Sequence, residues 1–127
     1  MWQALYHAGL ATVTLVAPTT PAERLPLVVA RARGFVYCLA RTGVTGQGGG
    51  YAGSIVDRVA QVRRLSPLPV VAGFGIATGA QARALRGVVD GVVVGAALMR
   101  EVAQDLDAGV VSRVSARVHE LAGALTA

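Results

Sequence analysis

Four short runs of the chain, Ala11 to Ala17, Gly34 to Ala40, Leu68 to Ala72 and Val88 to Val94, are apolar almost without interruption. Continuous apolar runs, as opposed to alternating ones, are what strands covered on both faces require. Between them the apolar residues recur at three and four, the spacing of a helix with one buried face. After the first run, Thr20-Pro21-Ala22-Glu23 reads as a capping box with proline at the first helical position. Pro26 then kinks that helix or delays its start. A glycine-rich loop follows the second run, and Ile55, Val56, Val59, Val62 and Leu65 then share one helical face as far as Ser66-Pro67. Thr78 with Gln81 forms a second capping box, opening a short helix through Ala82 and Leu85 that Gly87 closes. Ala96 to Leu106 reads as a helix broken by Gly109, and a last helix carries Val110, Val111, Val114, Val118 and Leu121. Trp2, Ala4, Leu5 and Ala8 place the tail of another helix at the start.

Strands that alternate with helices build a parallel sheet with right-handed crossovers. Such a sheet either opens out with helices on both faces or curls toward a (β/α) barrel. At 127 residues the chain has room for one domain, 1–127, able to hide roughly two thirds of its unfolded surface. Hydrophobic residues make up 54% and charged ones 15%, which excludes disorder. The glycines have no three-residue period and no heptads recur, so collagen-like and coiled-coil folds are excluded too.

Several chemistries fall away on residue types alone. All 12 basic residues are arginine, and without lysine there is no Schiff base, no lysine-anchored pyridoxal cofactor and no Walker-type phosphate loop. The single cysteine, Cys38, excludes an internal disulfide and a cysteine-built zinc site, and gives no sign of an oxidising compartment. His7 and His119 lie at opposite ends of the chain with no carboxylates at metal-ligand spacing. The net charge of +5 comes from arginines spread singly with few aromatics among them, the pattern of solvated helix faces and not of nucleic-acid binding. The first 21 residues lack the early positive charge of an export signal. No stretch reaches the roughly 20 clean apolar residues of a membrane helix. A cytoplasmic location is the expectation.

Glycines mark the C-terminal ends of the last three runs: Gly43-Val44-Thr45-Gly46, Gly73-Phe74-Gly75 and Val94-Gly95-Ala96. Each leads toward a helix start, where free N–H groups attract phosphate and the missing side chain lets a ligand approach the backbone. One such cluster is most often a tight turn; three on one rim carry more weight. In (β/α)8 barrels the phosphate site is commonly built from the loops after strands seven and eight. The last two clusters take that place if these four strands are the final four.

The run Gly34-Phe35-Val36-Tyr37-Cys38-Leu39-Ala40-Arg41-Thr42-Gly43-Val44-Thr45-Gly46 resembles a signature of the tryptophan synthase alpha subunit. Val71-Ala72-Gly73-Phe74-Gly75-Ile76 and Gly91-Val92-Val93-Val94-Gly95-Ala96-Ala97 resemble that family's next two strand ends, and Leu15-Val16-Ala17-Pro18-Thr19-Thr20 the preceding one. The resemblance implies a parallel half-barrel of α/β class, four strand–helix units corresponding to the last four of a TIM (β/α)8 barrel. It implies an aldolase-type lyase that releases indole and glyceraldehyde 3-phosphate from indole-3-glycerol phosphate. Gly46, Gly75, Gly95 and Ala96 would then offer backbone N–H groups to the substrate phosphate. Gly73, Phe74 and Leu15 would line the pocket, Phe74 against the indole. Tyr37 would aim its hydroxyl at the catalytic aspartate, and Thr45 would tie down the loop on closure. The subunit would need no cofactor, pyridoxal phosphate belonging to the family's beta subunit, which is the implied partner. From the residues alone, Phe74 and Leu15 are equally core packing, and Tyr37 a strand tyrosine at the rim.

Two local departures stand out. Many family members carry serine where this chain has Ala96, and the loop Gln47-Gly48-Gly49-Gly50-Tyr51-Ala52-Gly53 is unusually rich in glycine, which raises the entropic cost of closing it. The resemblance also puts both catalytic carboxylates in the four units this chain does not contain. The seven acids that are present, Glu23, Asp57, Asp90, Glu101, Asp105, Asp107 and Glu120, include no pair placed for acid–base work. A half-barrel exposes its sheet edges and interior side chains, in keeping with a mean hydropathy of +0.55. Two readings follow: part of an alpha chain, expected to be inactive alone, or a stand-alone phosphate-binding half-barrel that self-associates. A different phosphate-binding barrel enzyme is disfavoured by the Tyr37-to-Gly46 spacing.

Overall fold

A computed structural model describes residues 2–39, 51–73, 75–104 and 108–126, with the backbone alone for 51–54. The elements run α1 (Trp2–His7), β1 (Thr14–Val16), a 3-10 turn (Ala22–Arg24), α2 (Leu25–Val29), β2 (Val36–Leu39), α3 (Tyr51–Leu65), β3 (Val70–Gly73), α4 (Gly79–Arg83), β4 (Gly91–Val93), α5 (Ala96–Gln104) and α6 (Val110–Thr126). The four strands form one parallel sheet in the order β1-β2-β3-β4. A doubly wound sheet reverses its strand order partway, so that helices fall on both faces. Here the order never reverses, and right-handed crossovers put the connecting helices on one face. That is the arrangement of a barrel wall.

Parallel register aligns Thr14, Val36 and Val70, then Val16, Cys38 and Ala72, on the helix-covered face. All six are buried. Leu15, Tyr37, Val71 and Gly91 align on the opposite face, where Leu15 is 59% exposed and Val93 41% exposed. The continuous apolar runs therefore have one face covered, not two, among the described residues. Beneath the sheet Ile55, Val59 and Val62 of α3, Leu25 and Val29 of α2, and Leu85 complete the core. Val56 and Leu65, expected on the same α3 face, turn partly to solvent. Burial pushes the Cys38 thiol up to about 11 against the opposing pull of Arg58, which leaves it an inert core residue.

The strands are shorter than their apolar runs, because Ala11 to Val13 and Val88 to Asp90 lie outside the paired register. The two capping boxes have different fates. Thr78 and Gln81 form theirs: Thr78 Oγ1 accepts from Gln81 N–H at 3.3 Å, and Gln81 Oε1 accepts from Thr78 N–H at 3.2 Å. Thr20 does not cap Glu23. Its hydroxyl accepts from Ala17 N–H at 2.9 Å, a local turn that competes with capping, and α2 starts only at Leu25 with Pro26 in its first turn. A proline is tolerated there because the first turn's N–H groups have no helical acceptor.

Polar clasps hold the helix layer together. Glu120 of α6 accepts from Gly79 N–H at the start of α4 (2.8 Å), and Arg117 joins it to Glu101 of α5 at 2.6 and 2.7 Å. At the N-terminal rim Asp90 accepts from Val70 N–H at 2.7 Å and Arg63 at 3.0 Å. The Val70 N–H, aided by Arg63, holds its carboxyl below the usual carboxylate range. Arg31 and Arg33 lie over the rings of Trp2 and Tyr6 at 5.8 and 4.8 Å, so these two cations pack α1 against the turn before β2.

Candidate functional site

At the C-terminal ends of β2, β3 and β4 lies a cleft of about 600 Å³. Tyr37 forms one wall from the open face of β2, and Val93 rises from β4. The rest of the lining comes from Gly75, Ile76 and Ala77 after β3 and from Gly95, Ala96 and Ala97 at the start of α5, all but Ile76 being glycine or alanine. Arg100, one turn further along α5, completes the rim.

Two of the glycines on this rim are required by local geometry and a third is not. Gly73 makes room for Tyr37: a Cβ at Gly73 would fall on the phenol, so the tyrosine lies flat across the backbone of the next strand. Gly75 has φ of +82°, a conformation that L side chains rarely adopt. Gly95 has neither cause. Among the described residues no atom lies within 4 Å of the place its Cβ would occupy, and that space adjoins the cleft.

The two helix starts on this rim also differ. α4 is closed by its own capping box and by Glu120. α5 is preceded by Gly95, whose carbonyl accepts Met99 N–H at 3.0 Å and which has no side chain to cap the first turn. The N–H groups of that turn border the cleft, and partial positive charge at a helix start favours an anion.

Of the residues singled out in the sequence, Tyr37, Gly75, Gly95 and Ala96 meet at this one cleft. Gly73 lies beneath the Tyr37 ring. Leu15 is the register partner of Tyr37 on the open face, exposed and outside the cleft's wall. Thr45, Gly46 and Phe74 lie outside the described residues. The described lining includes no carboxylate. Glu101 and Glu120 are committed to Arg117, Asp90 sits at the opposite rim, and Asp105 and Asp107 lie outside the described residues. Among the described residues no group of three or more His, Cys, Asp or Glu is placed to hold a metal ion. None of the described helices is long and apolar enough to cross a membrane.

Ile76, Ala77, Val93, Ala97 and Arg100 also line the cleft without having been singled out in the sequence, and Arg100 is the charged one. Its signal was there: it follows Ala96 by four, so it stands on the face of α5 that begins at the glycine rim.

Comparison with known proteins places the whole chain. The family model described as tryptophan synthase alpha chain matches residues 1–126. The chain is 45% identical over 124 residues to the tryptophan synthase alpha chain of a Caulobacter species, covering 96% of this chain and 45% of that one. It is 44% identical over 119 residues to the alpha chain of Opitutus terrae, covering 94% and 44%. Among solved structures, the alpha subunit from Campylobacter jejuni superposes with a TM-score of 0.80 at 31% identity, over 94% of this chain and 46% of that one. A tryptophan synthase complex from Pyrococcus furiosus, studied for mutual activation, gives 0.80 at 29% identity over 96% and 49%. The chain thus spans a little under half the length of the relatives it matches. It belongs to the tryptophan synthase alpha chain family.

Proposed function

We propose that this chain carries the phosphate- and indole-binding part of a lyase that splits indole-3-glycerol phosphate into indole and glyceraldehyde 3-phosphate. The observation that supports it is the meeting of Tyr37, Gly75, Gly95 and Ala96 at one cleft. In this reading the N–H groups of Gly75, Gly95 and Ala96, with Gly46, hold the phosphate. Gly73, Leu15 and Phe74 flank the indole ring. Tyr37 orients a carboxylate through its hydroxyl, and Thr45 fastens the loop that follows β2. A tryptophan synthase beta subunit is the partner, and no cofactor is needed in this chain.

Cleavage requires a proton delivered to the indole ring and another removed from the glycerol hydroxyl. Each general acid or base step typically contributes about 10²- to 10⁴-fold. With no carboxylate in the described lining, the chain alone binds substrate without turning it over. An indole-release assay on the purified chain tests this. Weak binding of indole-3-glycerol phosphate with no indole released is the expected result, with turnover gained on adding the separately expressed first four strand–helix units of a related alpha chain. Robust turnover by the chain alone would overturn the reading.

A second reading, a phosphate-binding half-barrel that pairs with itself, is favoured by the apolar open face with Leu15 and Val93 exposed. Sedimentation separates the two. A dimer that loses its affinity for a hydrophobic dye on association supports self-pairing, and a dye-silent monomer removes it.

A further inference from the structure

We infer that Arg100 supplies the full positive charge that holds a phosphate dianion in this cleft, lying over the backbone N–H groups of Gly95 and Ala96. The inference rests on the phosphate reading above and adds to it the group that neutralises the charge. Arg100 lines the cleft from α5. Helical side chains lean back toward the helix N-terminus, so Arg100 covers the turn that begins at Ala96.

Two further observations leave it available to an anion. Among the described residues the Arg100 guanidinium has neither ion pair nor hydrogen bond; Arg24, Arg64, Arg83 and Arg86 share that, but of these five only Arg100 lines the cleft. Its sequence neighbour Glu101 is held by Arg117 at 2.7 Å and is not available to neutralise it. Arg100 is the fifth residue of the nine-residue α5, beyond its first turn, so its charge gains nothing from the helix dipole for the fold. With an anion in the cleft, the dipole and the guanidinium both point at the same charge, and the planar fork matches two phosphate oxygens.

The test is an NMR titration of the chain with inorganic phosphate, following the Gly95 and Ala96 amides, with glycerol as the neutral control. Arg100→Gln is expected to weaken phosphate binding about tenfold, the scale of one charge-assisted hydrogen bond. Arg100→Lys recovers part of it, since a lysine keeps the charge and loses the fork. Arg86→Gln, an equal change in net charge at an exposed site away from the cleft, is expected to leave binding unchanged. The denaturation midpoint of Arg100→Gln should not fall, which separates a ligand role from a structural one. If phosphate shifts the wild-type amides and Arg100→Gln binds as tightly, the assignment of Arg100 is overturned and the phosphate reading stands. If phosphate leaves the wild-type amides unmoved, both fall.

Discussion

Leu15 and Val16 are neighbours in β1, yet one is 59% exposed and the other wholly sealed. The same division runs through the whole sheet. One face holds Val16, Val36, Cys38 and Val70 under a layer of helices, and the other presents Leu15 and Val93 to solvent beside Tyr37. The covered face is where apolar area leaves water, at about 25 cal/mol per Å², and it carries the stability of the fold. The open face carries the cleft. In this half-barrel, one set of strands therefore divides core packing and cleft lining between alternate residues.

The largest test of that division compares one substitution on two sides. Leu85→Ala removes a fully buried side chain from the covered core and is expected to cost about 2–5 kcal/mol. Leu15→Ala on the open face should stay within about 0.5 kcal/mol. Urea denaturation of both variants measures the contrast, with Cys38 as a second probe, since a thiol reagent should reach it only on unfolding. Equal losses from the two leucines would mean that the open face is covered in solution.

How much of this could be read in the sequence depends on which physical signal each feature leaves. All four strands and the helices between them were legible, because burial imposes a period and an apolar run. The division between faces was not. Leu15 and Val16 are both large aliphatics, and an unbroken run looks the same whether one face or both are covered. Capping boxes were legible only as candidates, since nothing local reveals that Thr20 gives its oxygen to Ala17 N–H while Thr78 gives its own to Gln81 N–H. The glycine rim was legible from the position of each glycine at a strand end. Its inner distinctions were not: Gly73 serves the Tyr37 ring, Gly75 takes a left-handed turn, and Gly95 faces open space among the described residues. Arg100 was lost among twelve arginines because charge at an exposed helical position usually means solvation.

A smaller effect comes from the clasp that fastens the covering helices. The Gly79 N–H, then Arg117, holds the Glu120 carboxyl below its ordinary value. A group whose folded pKa is lowered contributes stability that is present above its unfolded pKa, near 4.3, and lost as pH falls through the folded value. The wild-type chain should therefore lose stability as pH drops from about 5 toward 3, with Asp90 adding to the loss in the same direction. Glu120→Gln should be slightly less stable at neutral pH and flatter across the acid range. Denaturation midpoints at stepped pH decide it. A Glu120→Gln curve parallel to wild type would mean the clasp adds nothing to helix cover.

The smallest effect sharpens the comparison inside the covered face itself, with two threonines two residues apart. Thr12 Oγ1 donates to Arg31 carbonyl oxygen at 2.8 Å, so its hydroxyl has a partner. Thr14 Oγ1 is buried with no partner among the described residues. An unpartnered buried hydroxyl has lost its water without regaining a hydrogen bond, and replacing it by an apolar group of the same shape is neutral or stabilising. Thr14→Val is therefore expected to raise stability by up to about 1 kcal/mol, whereas Thr12→Val, which leaves the Arg31 carbonyl without its donor, should lower it by about 1 kcal/mol. Val13 lies between them and points to the opposite side, 37% exposed. There the reverse exchange, Val13→Thr, should change stability by less than about 0.5 kcal/mol, because a hydroxyl that keeps its water has nothing to lose. Three neighbouring positions thus carry three different signs for one pair of side chains, set only by which face each residue takes. Urea denaturation of the three single variants measures them together, and a Thr14→Val variant that loses as much as Thr12→Val would show that Thr14 has a partner on the covered face after all.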